Sequence, residues 1–593
     1  MPAAGLSSDL ERGMSIAGLA ALAGALPQPP SFHDLPVELR LKCLAGCDWK
    51  TLSVAACASR GTRALVEYLV RAPYWRTLTE QQPAVLTTDF ASSEERQHAC
   101  NNWARELTAK LCGRGKPDLC LVFVSPRSHA NLPVMLRALR AHLAACTLLA
   151  GVIAPGVLGR DTASKQAQEI DTAELAGLVV SAVHLPPGSR VQAAFVKEGL
   201  GPAQQEEEEE GQLPDGMEWA AVEGELPRGM GTYPRTWLVF SDRHAHIDGV
   251  LRELGQRYPG ETLCGGMGGG TDGSASLLVG LPGRGPEDPL HAEVTSGTLV
   301  LAISGPGVES VPVTARGMRC ISQRFMVTQV AANVDMAPVG RVTLVQQMQH
   351  SVPLATKADS LGWVPVGSGF TPTSALVAAL QAQGANVAPR APLFFGVRRP
   401  SGKRLPGFEE NRMVMLQMHD PNNLMRTSGF VSVQFPVEQG MIAAFHTPQP
   451  ALSHAQLQLQ LKGLTDTCFY RDAECTGDEQ LPDESRAPSD SLDTIHQVLN
   501  SDPAPVYGCL LFPCVAKGRR YYGAPNVEST MVAGAYPGAT MAGFFCNGEI
   551  GPAPPDELAP FDGQTARMMG YSTVMCMLKL TPGAPPPPEW VEC

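Results

Sequence analysis

The sequence predicts an α+β fold in which β-sheets are covered by helices. Two observations carry this. A unit of strand, helix, strand and glycine turn occurs three times along the chain. Between the units lie further β-rich runs, such as GTLVLAIS (297–304) and NRMVMLQM (411–418), so crossover units alone do not account for the strands. A third observation sets the N-terminal part aside. Residues 31–110 place apolar side chains at three- and four-residue spacing, with Leu65, Val66 and Leu69 on one face, and read as helices.

The first unit opens with LCLVFVS (119–125). Its helix carries Leu132, Leu136, Leu139 and Leu143 on one face, and TLLAGVIAPGVLG follows as a strand with glycine turns. The second runs from WLVFSD (237–242) through a helix with Ile247, Val250, Leu251 and Leu254 to ETLCGGMGGG. The third runs from YGCLLFPC (507–514) through a short helix near Val527 to Ala533 and ends in ATMAGFFCNGEIG. Strands joined by a helix normally pair in parallel. Each unit carries glycines at the same place: Gly151 and Gly156, Gly265 and Gly266, Gly543 and Gly548. Units packed around one centre would bring these turns together and let backbone approach a ligand. Spacing alone favours plain tight turns.

Composition narrows the function. The 593 residues suffice for several domains, and 44% hydrophobic with 18% charged residues is a globular balance. A net charge of −12 argues against a nucleic-acid partner. No apolar run reaches bilayer-spanning length, so no membrane partner is expected. The first 30 residues read as a flexible terminus and lack the marks of a signal or transit peptide. The 16 cysteines show no zinc spacing and read as reduced, buried thiols, which points to cytoplasm or nucleus. No metal and no cofactor are expected. Residues 201–232, with EEEEE at 206–210, and 466–493 are acidic, lack a periodic apolar face and read as loose surface insertions. Residues 583–593 are a proline-rich tail.

The chemical motifs are weak. GGGTDG (268–273) matches a dinucleotide fingerprint, but SASLLVG follows it and reads as a strand where the fingerprint needs a helix. There is no phosphate-binding loop and no nucleophile elbow. SDRHAH (241–246) clusters Asp242, His244 and His246, which suits a helix-capping loop better than a metal site. His419 and His446 stand alone. No nucleophile–base couple is present, so no catalytic residue is assigned. Glu549, a single acid among glycines, suits either a ligand amine or structural hydrogen bonds.

Two resemblances sharpen this reading. FHDLPVELRLKCLAGCDWKTLSVAACASRGTRALVEYLVRAPYWRTL (32–78) resembles an F-box, from its Leu-Pro-x-Glu-Leu start to its closing Tyr74, Trp75 and Leu78. It departs from the pattern in having Cys57 without the usual following Trp. Residues 115–582 resemble the paired FIST N-terminal and C-terminal domains, named for F-box and intracellular signal transduction proteins. AGVIAPGVLGRD, YPGETLCGGMGGG, ARGMRCISQRFMVT, LLFPCVAKGRRYYG, AGFFCNGEIGP and GYSTVMCML carry this likeness. The resemblance implies an F-box at 31–80, a helical linker at 81–114, and FIST domains at 115–385 and 386–582, forming a two-lobed module. It implies a non-catalytic substrate-recognition subunit of an SCF-type ubiquitin ligase, partnered by a Skp1-like adaptor, a cullin–RING ligase and a target protein destined for proteasomal degradation. The alternative is a FIST signalling protein that senses an amino-acid-like ligand and has no ligase role. Adaptor contact is expected from Leu35, Pro36, Leu39, Leu44, Leu52 and Trp75. Ligand contact is expected from Arg319, Cys320, Gly543, Phe545, Gly548 and Glu549.

Overall fold

The computed structural model describes residues 72–581 apart from internal stretches, the longest being 197–218, 222–232, 281–291, 400–413, 418–430 and 467–504. Leu35, Pro36, Leu39, Leu44 and Leu52 therefore lie outside the described residues, as do most of both acidic insertions.

The chain begins with strand β1 (Tyr74–Gln81) and helices α1 (Ala84–Thr87) and α2 (Ser93–Leu111). Ser92 opens α2 by accepting from Glu95 N, and Glu95 reaches back to Ala91 N, so one side chain at each end of the turn satisfies an orphan donor. The first repeat is β2 (Leu119–Val124), α3 (Leu132–His142), β3 (Leu148–Ile153), β4 (Gly156–Arg160), β5 (Ala167–Ile170) and β6 (Gly177–His184). After β7 (Arg190–Val196) and β8 (Trp219–Ala221) comes the second: β9 (Arg235–Ser241), α4 (Ile247–Arg257), β10 (Thr262–Met267), β11 (Leu277–Gly280), β12 (Glu293–Thr295) and β13 (Thr298–Ser304).

β14 (Val308–Ala315) then leads into an inserted sheet. Its strands are β15 (Met318–Cys320), β16 (Phe325–Val330), β17 (Val334–Met336), β18 (Gly340–Pro353), β19 (Leu361–Trp363), β20 (Phe394–Arg398), β21 (Val414–Gln417), β22 (Val431–Val433) and β23 (Ile442–Pro448). Helix α5 (Pro372–Gln383) lies within this stretch and α6 (Pro450–Asp466) follows it. The third repeat is β24 (Val506–Pro513), α7 (Arg519–Tyr522), α8 (Val527–Ala535), β25 (Thr540–Phe545), β26 (Glu549–Gly551), β27 (Arg567–Met569) and β28 (Thr573–Leu580).

The three units expected from the sequence are real, and their strands pair in parallel: β2 with β3, β9 with β10, β24 with β25. The hairpin after each unit joins another repeat's sheet. The sheet orders are β1-β6-β2-β3-β11-β12, then β27-β26-β10-β9-β13-β7-β8, then β14-β28-β24-β25-β4-β5. Hairpin β4–β5 of the first repeat completes the third sheet, β11–β12 of the second completes the first, and β26–β27 of the third completes the second. The repeats are thus interlocked in a ring. One sheet also spans β16, β20 and β23, so the expected border at 385/386 falls inside a structural layer and does not separate two lobes.

The inner faces of the three sheets share a single core. Phe123, Phe240 and Phe512 stand one residue beyond the equivalent positions Val122, Val239 and Leu511, and all three meet Phe544, with ring centroids 5.2, 5.9 and 5.3 Å away. Each outer face is covered by helices. α2 and α3 cover the first sheet, α4 the second, and α6 with α8 the third. The leucines predicted to line α3 and the apolar set predicted for α4 are all buried. Burial of each such side chain stabilises by roughly 1.5–3 kcal/mol.

Two expectations change here. Tyr74–Gln81 is a strand, not the close of a helical module. It pairs along its length with β6, and Trp75 is buried against Gly508, where an added Cβ would come within 2.0 Å of the indole. An alternating run, YWRTLTEQ, satisfies a sheet edge better than a helix face. The F-box-like segment therefore ends before residue 74, and Trp75 is a core residue with no surface to offer an adaptor. Within the first acidic insertion, Trp219–Ala221 pairs with β7 and is ordered as an edge strand.

Candidate functional site

The repeated glycines explain themselves first. Gly151, Gly265 and Gly543 pair with Val122, Val239 and Leu511. A Cβ at each would lie 1.8, 2.0 and 1.8 Å from that partner's carbonyl oxygen. They are needed for strand to approach strand, not for a ligand. Gly266 has a different task, because a Cβ there would strike Cys546 Sγ at 2.1 Å beside the Phe544 ring. The centre of the three repeats is filled by aromatics.

The site emerges where the three repeats stop being alike. At the end of each first strand, a backbone N–H donates to the carbonyl that opens the returning strand: Ser125 to Gly177, Asp242 to Gly297, Cys514 to Ser572. The returning N–H also needs an acceptor. Gly177 N donates to Ser125 Oγ at 2.6 Å, and Gly297 N donates to Asp242 Oδ1 at 2.9 Å. In the third repeat the equivalent residue is Cys514, whose sulfur is a weak acceptor. Glu549 takes over. Its Oε2 accepts from Ser572 N at 3.0 Å and from Ser572 Oγ at 2.7 Å.

The register shows how unusual this is. Glu549 pairs with Gly266 as Leu277 pairs with Val152 and Val157 with Phe544. Two of these three equivalent positions hold apolar core residues, and the third holds a fully buried carboxyl. Burial pushes Glu549 up to about 7, against the opposing pull of Ser572, the Cys514 thiol and the Lys517 ammonium. Glu549 Oε1 makes no hydrogen bond of good geometry. Cys514 is pushed up as well, by burial first and then by Glu549.

Beside it lies a second buried group that sequence reasoning missed. Lys517, with no exposure, donates to Ser453 Oγ at 2.6 Å, Thr573 Oγ1 at 2.9 Å and Ala315 O at 3.2 Å. It pairs with Glu528 at 3.4 Å. Glu528 also accepts from Tyr522 at 2.6 Å and from Thr573 at 2.7 Å. A buried charge pair survives only with such complete hydrogen bonding. The signal was present in the sequence, since Lys517 ends the apolar run LLFPCVAK. Asp242, by contrast, accepts from Ser276 N, Ser296 Oγ and Gly297 N, so it ties down the starts of β11 and β13, where the sequence suggests a cap on the helix that follows it. The strand β11 after GGGTDG agrees with rejecting a nucleotide loop there.

The expected ligand residues divide. Gly548 lies near Glu549, packed on Met568 and Met267. Phe545 faces outward into the layer under α6 and α8, because the pleat turns Phe544 inward instead. Gly543 is tied to Leu511. Arg319 and Cys320 lie exposed on β15, across from Thr447 and His446, and Cys320 Sγ donates to Ser322 O. The structure thus separates the six residues: Gly548 and Glu549 at a buried corner, Gly543 and Phe545 elsewhere on the third sheet, and Arg319 and Cys320 on an exposed strand of another sheet. Among the described residues no group of three or more metal-ligating side chains is assembled, and no helix is long and apolar enough to cross a membrane.

Residues 118–336 match the FIST N domain. That match spans the first two repeats and runs into the inserted sheet. Over 73 residues, 12% of this chain, it is 34% identical to an uncharacterized protein of Mycobacterium tuberculosis and to one of Mycobacterium bovis. The chain spans 19% of the length of these relatives. The FIST domain suggests a signalling or ligand-sensing role.

Proposed function

We propose that the chain is a non-catalytic receptor. In this reading its FIST module senses a small amine-bearing ligand at the third corner, and its N-terminal segment docks the module on a Skp1-like adaptor of a cullin–RING ubiquitin ligase. The observation that carries the ligand role is the broken symmetry. Two of the three equivalent positions are apolar, yet the third holds a buried carboxyl that accepts from Ser572 and lies beside the Cys514 thiol and the Lys517 ammonium. A ligand ammonium would add a charge-assisted bond to it, which contributes about 1.5–3 kcal/mol. Glu549 is fully buried in this structure, so entry requires the corner to open. Calorimetric titration of the full chain with an amino-acid panel tests this. Glu549→Gln is expected to weaken binding about 10- to 100-fold; unchanged affinity would remove the ligand role.

The adaptor role rests on the Leu-Pro-x-Glu-Leu start. Replacing Leu35 and Pro36 together with Ala is expected to abolish adaptor co-purification and leave module stability unchanged. A specific observation favours the second reading, a FIST sensor with no ligase role: Trp75 belongs to the module's core and is lost to the adaptor patch. Trp75→Ala is accordingly expected to destabilise the module by about 3–5 kcal/mol. Absence of adaptor from the purified parent chain would decide for the second reading, whereas recovery that survives the Leu35 and Pro36 change would remove the docking residues assigned here.

A further inference from the structure

A groove of about 520 Å³ lies between β1, α1 and α2, outside the site described above. Its walls include Pro83, Val85, Phe90 and Trp103, and two carboxylates, Glu80 and Glu106, line it. Glu80 is half-buried and Glu106 exposed. The Trp103 indole Nε1 is shut off from solvent and makes no hydrogen bond of good geometry, although Glu80 lies close enough to feel it. Lys110 is the cation that acts on Glu80, and Asp161 adds a further negative charge nearby.

We propose that this groove holds an Arg or Lys side chain of a basic segment on a target protein. Aromatic faces beside carboxylates attract guanidinium and ammonium groups, and desolvation by apolar walls strengthens that attraction. Two acids repel an anion, and a cation gains from them a charge pairing that a neutral ligand does not. The groove is open at its lip, at Gln81 and Glu106, so a chain can lie across it while one side chain enters. The chain's charge of −12 favours approach of a basic partner. The choice of a protein occupant rests on the receptor reading above.

The test is fluorescence anisotropy on the full chain with a labelled Gly-Ser-Arg-Gly-Ser-Arg peptide, its Gln-for-Arg counterpart, and free arginine as competitor. The Arg peptide is expected to bind and the Gln peptide to bind at least about tenfold more weakly. The double variant Glu80→Gln, Glu106→Gln is expected to lose the same factor while its melting temperature stays near the parent's. Free arginine should compete only at concentrations far above the peptide's Kd. Equal binding of both peptides, or an unaffected double variant, overturns the site. Competition by free arginine at the peptide's own Kd makes the occupant a small molecule and overturns the proposal as stated. Adaptor co-purification, measured on the same variant, is expected to be unchanged. Its loss together with peptide binding would implicate the receptor reading, whereas loss of peptide binding alone concerns the groove.

Discussion

The first and third corners of the triple repeat solve one problem in two ways. Both must supply an acceptor for the first N–H of a returning strand. The first uses its own strand end, Ser125, over an apolar neighbour, Val157. The third has Cys514 at that strand end and borrows Glu549 from the hairpin it lends to the next sheet. One corner is made of inexpensive polar atoms. The other buries a carboxyl, and next to it a Lys–Glu pair bound to side chains or backbone of four elements, β14, α6, α7 and β28. The two corners keep the same backbone hydrogen bonds and differ in which side chain satisfies them.

The largest expected effect tests the Lys517 cluster of the third corner. Lys517→Met leaves Glu528 buried without its cation, and is expected to destabilise the module by about 3–5 kcal/mol. Adding Glu528→Leu is expected to recover a large part of this in urea unfolding. A single variant with parental stability would show that the pair contributes nothing.

A symmetrising pair of substitutions comes next. Glu549→Leu copies the second repeat's equivalent residue, Leu277, and orphans Ser572 N and Oγ, at a cost of about 1–3 kcal/mol. Combining it with Cys514→Ser rebuilds the first corner's arrangement and is expected to restore most of that loss. If the double variant is no more stable than Glu549→Leu alone, the two corners are not equivalent in the sense argued.

The third expectation is a pH profile. Glu549 is held up to about 7 in the folded chain against an ordinary value of 4.5. Its neutral form is therefore favoured by folding. That contribution is full below about pH 4.5 and is lost as pH rises through 7. Glu169 behaves alike: burial pushes it up to about 7 where it accepts from Ser529 N near the start of α8. Each group contributes a few kcal/mol across this window. Thermal denaturation between pH 5 and 8 is expected to show falling stability. Glu549→Gln should remove part of the slope and be the more stable protein at pH 8. A parallel profile would exclude Glu549 as its source.

The smallest effect concerns the glycine that makes room for the centre. Cys546→Ala relieves the contact on Gly266 but leaves a small cavity beside Phe544, a loss of about 1 kcal/mol expected by the same denaturation series.

The sequence by itself determined the local elements. Strand runs such as LCLVFV, amphipathic helices such as 132–142 and the glycines after them carry their own periodicity, and period 2 or 3.6 needs no distant partner to be recognised. It also determined that the units repeat. It misread Tyr74–Gln81, because a five-residue aromatic motif outweighed an alternating pattern that only β6 makes decisive. It chose Phe545 over Phe544, because adjacent strand residues face opposite sides and register alone says which is inward. The exchange of hairpins among three sheets, the shared aromatic centre, and the meeting of Glu549 with Ser572 and Cys514 were decided only by tertiary structure. They join residues far apart in the chain, and no local pattern encodes which strand end will lack an acceptor until the strands that share it have paired.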